Sequence, residues 1–496
     1  MASHAKQAPI LDRRRAGVLL HPTSLPGPVG GGDLGPEAFH FLDFLAHSGA
    51  SVWQVLPLGP VHEDGSPYMS LSVLAGNPSL ISLQRLHEWG WLAPEDTIPC
   101  ADDDACQVRR QCLQQARLGF MQRGSERDRH DYQQFIQLHQ YWLDDFALFQ
   151  AIRQQQEGKS WVDWPEALRD REAAALDKAH RELADAVDQT RFEQYVFNRQ
   201  WHALRQYANE RGILVFGDMP IFVAHDSAEV WANRDCFDLY QDGQPRTIAG
   251  VPPDYFSETG QRWGNPHYDW KRMKQDGFTW WVNRMRGTLE MFDLVRVDHF
   301  RGFESYWEIK ADAETAIDGH WVKTPGKALF NALLASFDHL PLVAEDLGTI
   351  TPEVDALRAK YGWPGMKILQ FAFDGSAENP YLPHNHETNS VVYTGTHDND
   401  TTVGWFNGLN EATQKQVRHY LACHEEPMPW PLIRAALASV ARLAVVPMQD
   451  LLALGEGSRM NTPGSNEDNW QWRFEWSQVE DSLAARFREM VRLYGR

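Results

Sequence analysis

The sequence predicts a (β/α)₈ barrel, an α/β fold in which eight parallel strands form a ring inside a layer of helices. Three observations lead to this prediction. Short apolar segments alternate along the chain with longer helical segments, which is typical of a parallel α/β fold. Eight such apolar segments are present. Polar or acidic residues follow several of them, as expected where barrel strands end at an active site.

The predicted strands are short apolar runs separated by helical or turn-rich sequence, and the last of them has the weakest pattern. In chain order they are Gly17–Leu20, Ser51–Leu58, Ile213–Asp218, Phe292–Val297, Leu342–Glu345, Lys367–Phe371, Val391–Thr394 and Leu443–Pro447. No internal repeat and no low-complexity tract interrupts this series. The whole chain, 1–496, is therefore expected to form one catalytic domain, without a separate C-terminal β domain.

Two segments are expected to be insertions into the barrel. Residues from about 77 to 190 are charged and rich in helical patterns, with no strong strand, which predicts a helical subdomain beside the barrel. Residues from about 219 to 280 contain the segment 250–266, where turn-forming residues alternate with aromatic ones. Long loops in compact domains are usually functional, so we expect 250–266 to be a loop over the active site.

Composition limits the partners that this chain can have. Hydrophobic residues make up 43% and charged residues 23%, as in ordinary soluble globular proteins. The net charge of −20 disfavours nucleic acid and anionic membrane surfaces as partners. The five cysteines are odd in number and lack zinc-type spacing, and no segment reaches transmembrane length. A cytoplasmic protein with reduced thiols is the resulting expectation.

The segment 292–300 carries the strongest functional signal. Asp293, Arg296, Asp298 and His299 interrupt its apolar run, and a buried strand does not tolerate charges without partners. Either the strand opens into a site at its C-terminal end, or the charges form a structural salt bridge at the barrel rim. The stretches 341–346 and 390–399 repeat the pattern, since each is an apolar strand that runs into acids. Three such strands favour a site.

Asp298, Glu345 and Asp398 follow the fourth, fifth and seventh predicted strands, so in a barrel they converge on one pocket. Facing carboxylates are what glycoside chemistry requires: one attacks the anomeric carbon, and another, with a raised pKa, protonates the leaving oxygen. A third acid can bind sugar hydroxyls and stabilise positive charge on the ring. Arg296, on the same strand face as Asp298, is expected to keep that carboxylate ionised.

These motifs resemble a known enzyme family. Arg-Val-Asp-His at 296–299, Ala-Glu-Asp-Leu-Gly at 344–348 and Thr-His-Asp-Asn at 396–399 are similar to signature regions of the α-amylase superfamily. Further segments resemble its amylomaltase branch, the 4-α-glucanotransferases, and the resemblance extends from about Gly17 to Trp470. These segments are 53–58, 66–68, 75–78, 217–221, 250–266, 345–348 and 459–461.

The resemblance implies roles for individual residues. Asp298 would be the nucleophile, Glu345 the general acid/base and Asp398 the transition-state stabiliser, with no metal and no cofactor. The substrates would be maltooligosaccharides and α-1,4-glucans. One departure is Met69, where many members of the family have Gln after Ser-Pro-Tyr. The implied substrate-binding residues are Tyr68, Asp218, Asp254, Phe256, Trp263, Arg296, His299, His397 and Asn461.

Several alternatives remain open at this point. His299 and His397 could be hydrogen-bonded rim histidines, and the aromatic side chains of 250–266 could only hold that segment together. An α-1,4-glucan hydrolase with the same triad is the nearest alternative function, followed by a non-catalytic maltodextrin-binding regulator. A metal-dependent hydrolase is disfavoured, because His384 and His386 lack a third ligand at a diagnostic spacing. Transfer is preferred because an aromatic cover would exclude water from the intermediate.

Overall fold

The computed structural model describes residues 11–27, 31–94, 105–253, 257–423, 425–465 and 467–496. The strands within these ranges are β1 (Arg15–Leu19), β2 (Val52–Gln54), β3 (Leu214–Met219), β4 (Thr247–Val251), β5 (Gln261–Pro266), β6 (Leu294–Val297), β7 (Ser305–Lys310), β8 (Gly319–Lys323), β9 (Leu342–Ala344), β10 (Gly365–Ile368), β11 (Ser390–Tyr393) and β12 (Leu443–Pro447). The helices are α1 (Pro36–Ser48), α2 (Leu83–Glu88), α3 (Ala105–Arg123), α4 (Glu126–Gln155), α5 (Glu166–Arg169), α6 (Ala173–Glu182), α7 (Ala184–Glu210), α8 (Ala228–Ala232), α9 (Trp270–Gln275), α10 (Thr279–Met291), α11 (Gly326–Ser336), α12 (Pro352–Tyr361), α13 (Thr402–Gly408), α14 (Glu411–Tyr420), α15 (Trp430–Ala438), α16 (Met448–Leu451) and α17 (Leu483–Leu493).

Eight parallel strands form the predicted barrel. Their order is β10-β11-β12-β1-β2-β3-β6-β9, and every hydrogen-bonded pair in it is parallel. The two ends of the sheet meet, because Ala344 at the end of β9 donates its N–H to the carbonyl of Pro364, just before β10, at 2.9 Å. The (β/α)₈ prediction is confirmed. After β12 the described residues form helices and irregular structure, and no C-terminal β domain is evident among them.

Alternate residues of the barrel strands fill its interior. Leu294 of β6 belongs to a buried cluster inside the ring with Phe216, Val343, Tyr393 and other strand residues. Their neighbours along the strands, such as Val295, pack outward against the helices. Because side chains alternate between the two faces of a strand, residues two positions apart share a face. The residues that follow Leu294 at 296 and 298 are thereby directed toward the barrel axis.

Helices cover the outside of the barrel and form the predicted helix-rich region. This region contains α2 to α7, and its longest helices are α4, with 30 residues, and α7, with 27. Helix α7 begins before residue 190 and continues to Glu210, so no break in structure occurs at the predicted boundary. None of the helices that the structure describes is long and apolar enough to cross a membrane.

The two ends of the segment 250–266 are strands in the described structure, whereas the sequence predicted a loop there. Strands β4 and β5 form an antiparallel hairpin there, within a small sheet of order β5-β4-β7-β8. Strand β5 has the sequence Gln-Arg-Trp-Gly-Asn-Pro, in which Gly, Asn and Pro disfavour strands. Its extended conformation depends on pairing with β4, which itself pairs with β7. Tertiary pairing therefore overrides the weak local preference.

The connection between β9 and β11 explains how two barrel steps fit into a short segment. Helix α12 links β9 to β10, but the described residues between β10 and β11 contain only 3₁₀ turns, at Leu369–Phe371 and Pro383–Asn385. The first turn occupies part of the strand that was predicted over 367–371. Omission of an α-helix at this step shortens the path between the two strands.

Most of the tryptophans belong to the core. Six of them are among the largest fully buried side chains, and among the described residues Trp321 is the tryptophan with a substantially exposed side chain, at 37%. The buried six are Trp53, Trp91, Trp161, Trp201, Trp231 and Trp281. The abundance of tryptophan is therefore explained largely by packing.

Candidate active site

Asp218 and Arg296 form the floor of the site, at the C-terminal ends of β3 and β6. They are direct register partners on neighbouring strands, so their side chains emerge side by side. Arg296 Nη1 donates to Asp218 Oδ1 at 2.8 Å and to Oδ2 at 2.7 Å. Arg296 Nη2 lies 2.8 Å from Asp298 Oδ1. One buried guanidinium thus binds two carboxylates and fixes their separation.

Arg296 stays charged although it is buried, because it has these two carboxylate partners. Burial alone disfavours the guanidinium charge, but the carboxylates of Asp218 and Asp298 more than compensate and raise the pKa of Arg296 above its ordinary value. Tyr68 donates its hydroxyl to Asp218 Oδ2 at 2.8 Å, and burial followed by the charge of Asp218 raises the pKa of Tyr68. The tyrosine therefore stays a neutral donor.

Glu345 follows β9 and is held by two backbone amides. Its Oε2 accepts from the N–H of His299 at 2.7 Å, and its Oε1 accepts from the N–H of Leu347 at 3.0 Å. His299 has left-handed backbone angles, φ 49° and ψ 50°, which is uncommon for a residue other than glycine. This turn, directly after Asp298, presents the His299 amide to Glu345. The carboxylates of Asp298 and Glu345 are therefore neighbours, with the backbone turn at His299 between them.

Burial raises the pKa of both carboxyls. For Asp298, Arg296 lowers the pKa in the expected direction, but burial and the charges of Asp218 and Asp398 outweigh it. For Glu345, Arg296 and the two amide donors also oppose burial, while the charge of Asp298 adds to it. Only 9% of Glu345 is exposed. The site therefore favours a protonated Glu345 beside an Asp298 with an ion-pair partner.

Asp398 follows β11 and is held by a segment more than sixty residues later in the chain. Asn461 Nδ2 donates to Asp398 Oδ1 at 2.6 Å, and His397 Nε2 lies 3.3 Å from Oδ2. Arg459 Nη2 donates to the Asp398 carbonyl at 2.5 Å, and its Nε donates to the Asn461 carbonyl at 2.6 Å. Arg459 thereby links the backbone at Asp398 to the backbone at Asn461. Sequence analysis noted the motif at 459–461 but assigned no role to this arginine.

An aromatic stack adjoins Asp398. The rings of Tyr68 and His397 are stacked with centroids 5.2 Å apart, and Trp470 lies 5.9 Å from the first ring and 6.0 Å from the second. Trp470 has a positive φ of 66°, a strained conformation for a bulky residue. The sequence assigned no role to Trp470. No local signal distinguishes it from the other tryptophans, because its position depends on the return of the chain to the barrel mouth.

Both predicted histidines favour the neutral imidazole. Burial lowers the pKa of His299 to about 3, with a smaller contribution from Arg301, and burial also lowers the pKa of His397. His397 has Asp398 as a partner. The buried Nε2 of His299 has no hydrogen-bond partner within the described part of the chain. His299 is therefore not a fully satisfied rim histidine within the described residues.

Trp263 on β5 packs edge-to-face against His299, with ring centroids 4.8 Å apart. This contact brings the small sheet to the mouth of the barrel. Asp254 and Phe256, which were also predicted to bind substrate, lie with Tyr255 outside the described residues. Met69 contributes its sulfur as an acceptor for Asn265 Nδ2 at 3.6 Å. The remaining predicted residues, from Tyr68 to Asn461, are linked by the contacts described above.

The local geometry around His384 and His386 does not support the alternative of a metal-dependent hydrolase. His384 contacts the hydroxyl of Tyr420 and the carbonyl of Ala377 with its two ring nitrogens. His386 similarly contacts Ser439 and Tyr381. Within the ranges that the structure describes, no group of three or more His, Cys, Asp or Glu side chains is arranged to hold a metal ion.

Comparison with known proteins assigns a family. The family model described as 4-alpha-glucanotransferase matches residues 20–478. A 4-alpha-glucanotransferase of Thermus thermophilus is 50% identical over 96% of this chain and 98% of its own length. A 4-alpha-glucanotransferase of Synechocystis is 49% identical over 98% and 99% of the two chains. The structure of an amylomaltase from Streptococcus agalactiae in complex with acarbose is also similar, with a TM-score of 0.94 and 38% identity over 98% of this chain and 100% of that one.

Proposed function

The chain belongs to the 4-alpha-glucanotransferase family, and from this premise we propose that it transfers segments of α-1,4-glucans between maltodextrin molecules. The reaction would retain the anomeric configuration and would proceed through a covalent glucosyl–Asp298 intermediate. Short maltooligosaccharides would release glucose as they disproportionate. The proposed enzyme is thus a glycosyltransferase of the glycoside-hydrolase type.

One observation carries the mechanistic part of the proposal. Asp298 and Glu345 lie across one backbone turn, yet among the residues that the structure describes Asp298 has a guanidinium partner and Glu345 has none at hydrogen-bond distance. Burial raises the pKa of both carboxyls, and the charge of Asp298 adds to the shift of Glu345. Pairs of carboxyls whose environments separate their pKa values supply the nucleophile and the acid of a retaining glycosidase-type reaction. This difference supports Asp298 as nucleophile and Glu345 as acid.

In the first step the Asp298 carboxylate attacks the anomeric carbon of the donor glucan. The bond from that carbon to the leaving glycosidic oxygen breaks, and Glu345 gives its proton to the oxygen. Positive charge develops on the sugar ring, where Asp398 stabilises it. Since Asn461 and His397 hold both oxygens of Asp398, this carboxylate needs little reorientation during the step.

In the second step a hydroxyl of an acceptor glucan attacks the same carbon. Ionised Glu345 accepts the hydroxyl proton, the bond to Asp298 breaks, and both carboxyls return to their starting states. Water can replace the acceptor, and the product is then that of hydrolysis. The choice between the two depends on how well the site binds acceptor sugar and excludes water.

The residues around the acids provide suitable contacts for sugar. Neutral His299 with its free Nε2, the Trp263 ring beside it and the Tyr68–His397 stack offer both hydrogen bonds and flat apolar faces. We extend the proposal to the complete predicted set. Its members are Tyr68, Asp218, Asp254, Phe256, Trp263, Arg296, His299, His397 and Asn461.

The organisation and location of the protein are proposals of the same kind. We propose one catalytic domain over 1–496, with inserted segments at about 77–190 and 219–280, because the barrel strands are contributed by regions on both sides of each insertion. A cytoplasmic location is supported by the few, unpatterned cysteines. Glucan is the proposed partner, and the net charge of −20 argues against nucleic acid.

Incubation with maltotriose tests the proposed reaction directly. Transfer yields glucose together with a ladder of longer oligosaccharides, and chromatography resolves both. Glucose and maltose without longer products would instead indicate the α-1,4-glucan hydrolase. If neither pattern arises with folded protein, the proposed chemistry is wrong.

A further inference from the structure

Arg301 is a buried arginine that the proposed mechanism does not use. It lies two residues after His299, in the 3₁₀ turn Phe300–Phe303 that follows β6, and only 4% of it is exposed. Its guanidinium donates through Nη1 to the carbonyl of Thr349 and through Nη2 to Ser305 Oγ at 3.3 Å. Both acceptors are neutral oxygens, so neither contact is an ion pair.

The charge of Arg301 is poorly compensated at this position. Burial lowers the pKa of Arg301, and the charge of Glu304 opposes this shift only in part. Arg296 differs, because its carboxylate partners raise its pKa above the ordinary value. The ring of Trp321 covers the Arg301 guanidinium, with its centroid 3.5 Å from Cζ, which offsets part of the cost of burial. Burial of a poorly paired charge costs stability, so the contribution of this arginine lies in the fixed geometry of its donors.

The carbonyl that Arg301 binds belongs to the segment that follows Glu345. Leu347, in the middle of this segment, donates its N–H to Glu345 Oε1 at 3.0 Å. Gly348 and Thr349 are exposed, so burial does little to hold the segment there. The bond from Arg301 to the Thr349 carbonyl fixes the segment two residues beyond the amide that binds Glu345.

The same arginine adjoins the other amide that binds Glu345. The N–H of His299, two residues before Arg301, donates to Glu345 Oε2 at 2.7 Å. Leu347 likewise lies two residues before Thr349. The bond between Arg301 and Thr349 thus joins the two backbone segments that supply the donors, and it is equally far along the chain from both amides.

We propose that Arg301 is a positioning residue for the general acid Glu345. Its bond to the Thr349 carbonyl keeps both amide donors on the carboxyl while the proton is transferred. The inference rests on the proposed function, which assigns this proton transfer to Glu345. A general acid must stay within hydrogen-bond reach of the leaving oxygen, and a misplacement of about 1 Å can lower the rate ~10²-fold.

The two amides also act on the acidity of Glu345. Each donates to the ionised carboxyl and lowers its pKa, against the opposite effect of burial. Loss of the Leu347 amide from Oε1 should therefore raise the pKa of Glu345 further. The other charged and titratable groups that act on this carboxyl are not altered by substitution of Arg301. They include Arg296, Asp298 and Tyr381.

The substitution Arg301→Met tests the proposal, because it retains an unbranched side chain and removes the donors. Turnover of maltotriose should fall by about tenfold to hundredfold, with little change in KM. Loading of Asp298 by a glycosyl fluoride should be unchanged, since fluoride leaves with little protonation. Glu345 acts in transfer and in hydrolysis alike, so the ratio of these two rates should stay the same. In the Glu345→Gln background, Arg301→Met should cause no further loss of maltotriose turnover.

Two further variants separate positioning from folding. Arg301→Lys retains the charge but not the planar fork, so it should show the same pattern with a smaller loss, and it takes over the test if Arg301→Met does not fold. Arg14→Met is the matched control, because Arg14 precedes β1 at the opposite end of the barrel and donates to the carbonyls of Tyr494 at 2.7 Å and Leu437 at 2.8 Å. It should lower the melting temperature without a change in kcat or in fluoride loading.

A measurement without substrate separates this inference from the proposed function. Infrared titration follows the carboxyl band that is absent from Glu345→Gln. Its midpoint should move to higher pH in Arg301→Met, and the alkaline limb of the rate profile should move with it. An unmoved midpoint, an equal loss with maltotriose and with the fluoride, or a further loss in the Glu345→Gln background would overturn the positioning role, while maltotriose transfer by the parent still supports the enzyme. Absence of transfer by the parent would instead overturn the proposed function, and the carboxyl titration would still decide the role of Arg301.

Discussion

Two parts of the active site hold their acids in different ways. Asp298 and Glu345 follow neighbouring strands, and a strand-borne arginine and two backbone amides fix their carboxyls. Asp398 also follows a strand, but Arg459 and Asn461, from a segment over sixty residues later, hold it. Its side chain is 42% exposed, against 27% for the side chain of Asp298.

Because the acids are held in different ways, we expect substitutions in the two parts of the site to have different effects. The carboxyls held by the barrel itself are less exposed than that of Asp398, and partial or full burial raises the pKa of both. The acid held by the later segment is more accessible and depends on a contact that is far away in sequence. We expect substitutions among the strand-held groups to abolish individual chemical steps. Substitutions in the later segment should weaken transition-state stabilisation without removing a step.

The largest effect is expected for Asp298→Asn. Removal of the nucleophile should lower kcat by about 10⁴-fold or more and leave no trapped intermediate with a glycosyl fluoride. Asp293→Asn is the matched control, because Asp293 precedes β6 at the opposite end and accepts from Arg205 at 2.7 Å. That control should lower the melting temperature and retain kcat. Mass spectrometry that locates an adduct on a residue other than Asp298 would refute the assignment.

Glu345→Gln should affect a single proton transfer. Turnover of maltodextrin should fall by about 10²- to 10⁴-fold, whereas a glycosyl fluoride, which needs little protonation to leave, should still load Asp298. In the unsubstituted enzyme, glycosylation needs protonated Glu345. Activity should therefore fall as the pH rises through the raised pKa of Glu345. The persistent adduct, detected by mass spectrometry, is the signature, and failure to load would contradict the role.

The same substitution has an effect on stability with a defined sign. Since the pKa of Glu345 is raised on folding, its protonation contributes stability that is present at low pH and is lost as the pH rises through the folded-state pKa. Gln cannot ionise, so the melting temperature of Glu345→Gln relative to the parent should increase between acidic and alkaline pH. A difference that is constant with pH would show that burial does not raise the pKa of Glu345.

A smaller effect is expected from Arg459→Lys, which tests the acid held by the later segment. Lysine cannot make both carbonyl contacts of the planar guanidinium, so Asp398 should lose its fixed position. We expect kcat to fall by up to about 10²-fold, with little change in maltotriose binding in the Asp298→Asn background. Arg442→Lys is the control, since Arg442 also donates to a backbone carbonyl, that of Asp12, at 2.9 Å.

The same difference between the barrel strands and the later segment explains which site residues could be predicted from the sequence. The barrel and the convergence of its acids follow from strand alternation and from the shared direction of parallel strands, both of which are local rules. Alternation also separates adjacent acids, because Glu345 enters the site while Asp346 accepts from the amide of Met366 at 2.7 Å. Arg459 and Trp470 obey no such rule. Their positions depend on where a distant segment returns, which local pattern does not encode.

The small sheet shows the same limit. Residues 261–266 have little preference for a strand, and their conformation is set by pairing with β4. The sequence predicted a loop at 250–266, whereas 250–251 and 261–266 form paired strands and Trp263 contacts His299. A strand fixes the orientation of a side-chain ring more firmly than a loop would. The ring of Trp263 therefore has a more defined position than a loop residue would have. Its ring is part of a hairpin edge that rests on His299.

The smallest effect is expected for Trp263→Ala, which asks whether the small sheet belongs to the chemistry or only covers it. Trp263 contacts His299, the residue whose amide holds Glu345, but it contacts none of the three acids in the hydrogen-bond network described above. If its ring binds acceptor sugar, the substitution should lower the ratio of transfer to hydrolysis by about twofold to tenfold, the range for one aromatic contact. Trp321→Ala is the control, because Trp321 lies on β8 at the opposite edge of the same sheet. Phe256→Ala, in the connection between β4 and β5, should act in the same direction as Trp263→Ala. Both rates are measured on one maltodextrin, by glucose release and by formation of longer chains. An equal fall in the two rates would mean that Trp263 only supports His299, and the preference for transfer would then rest on family membership alone.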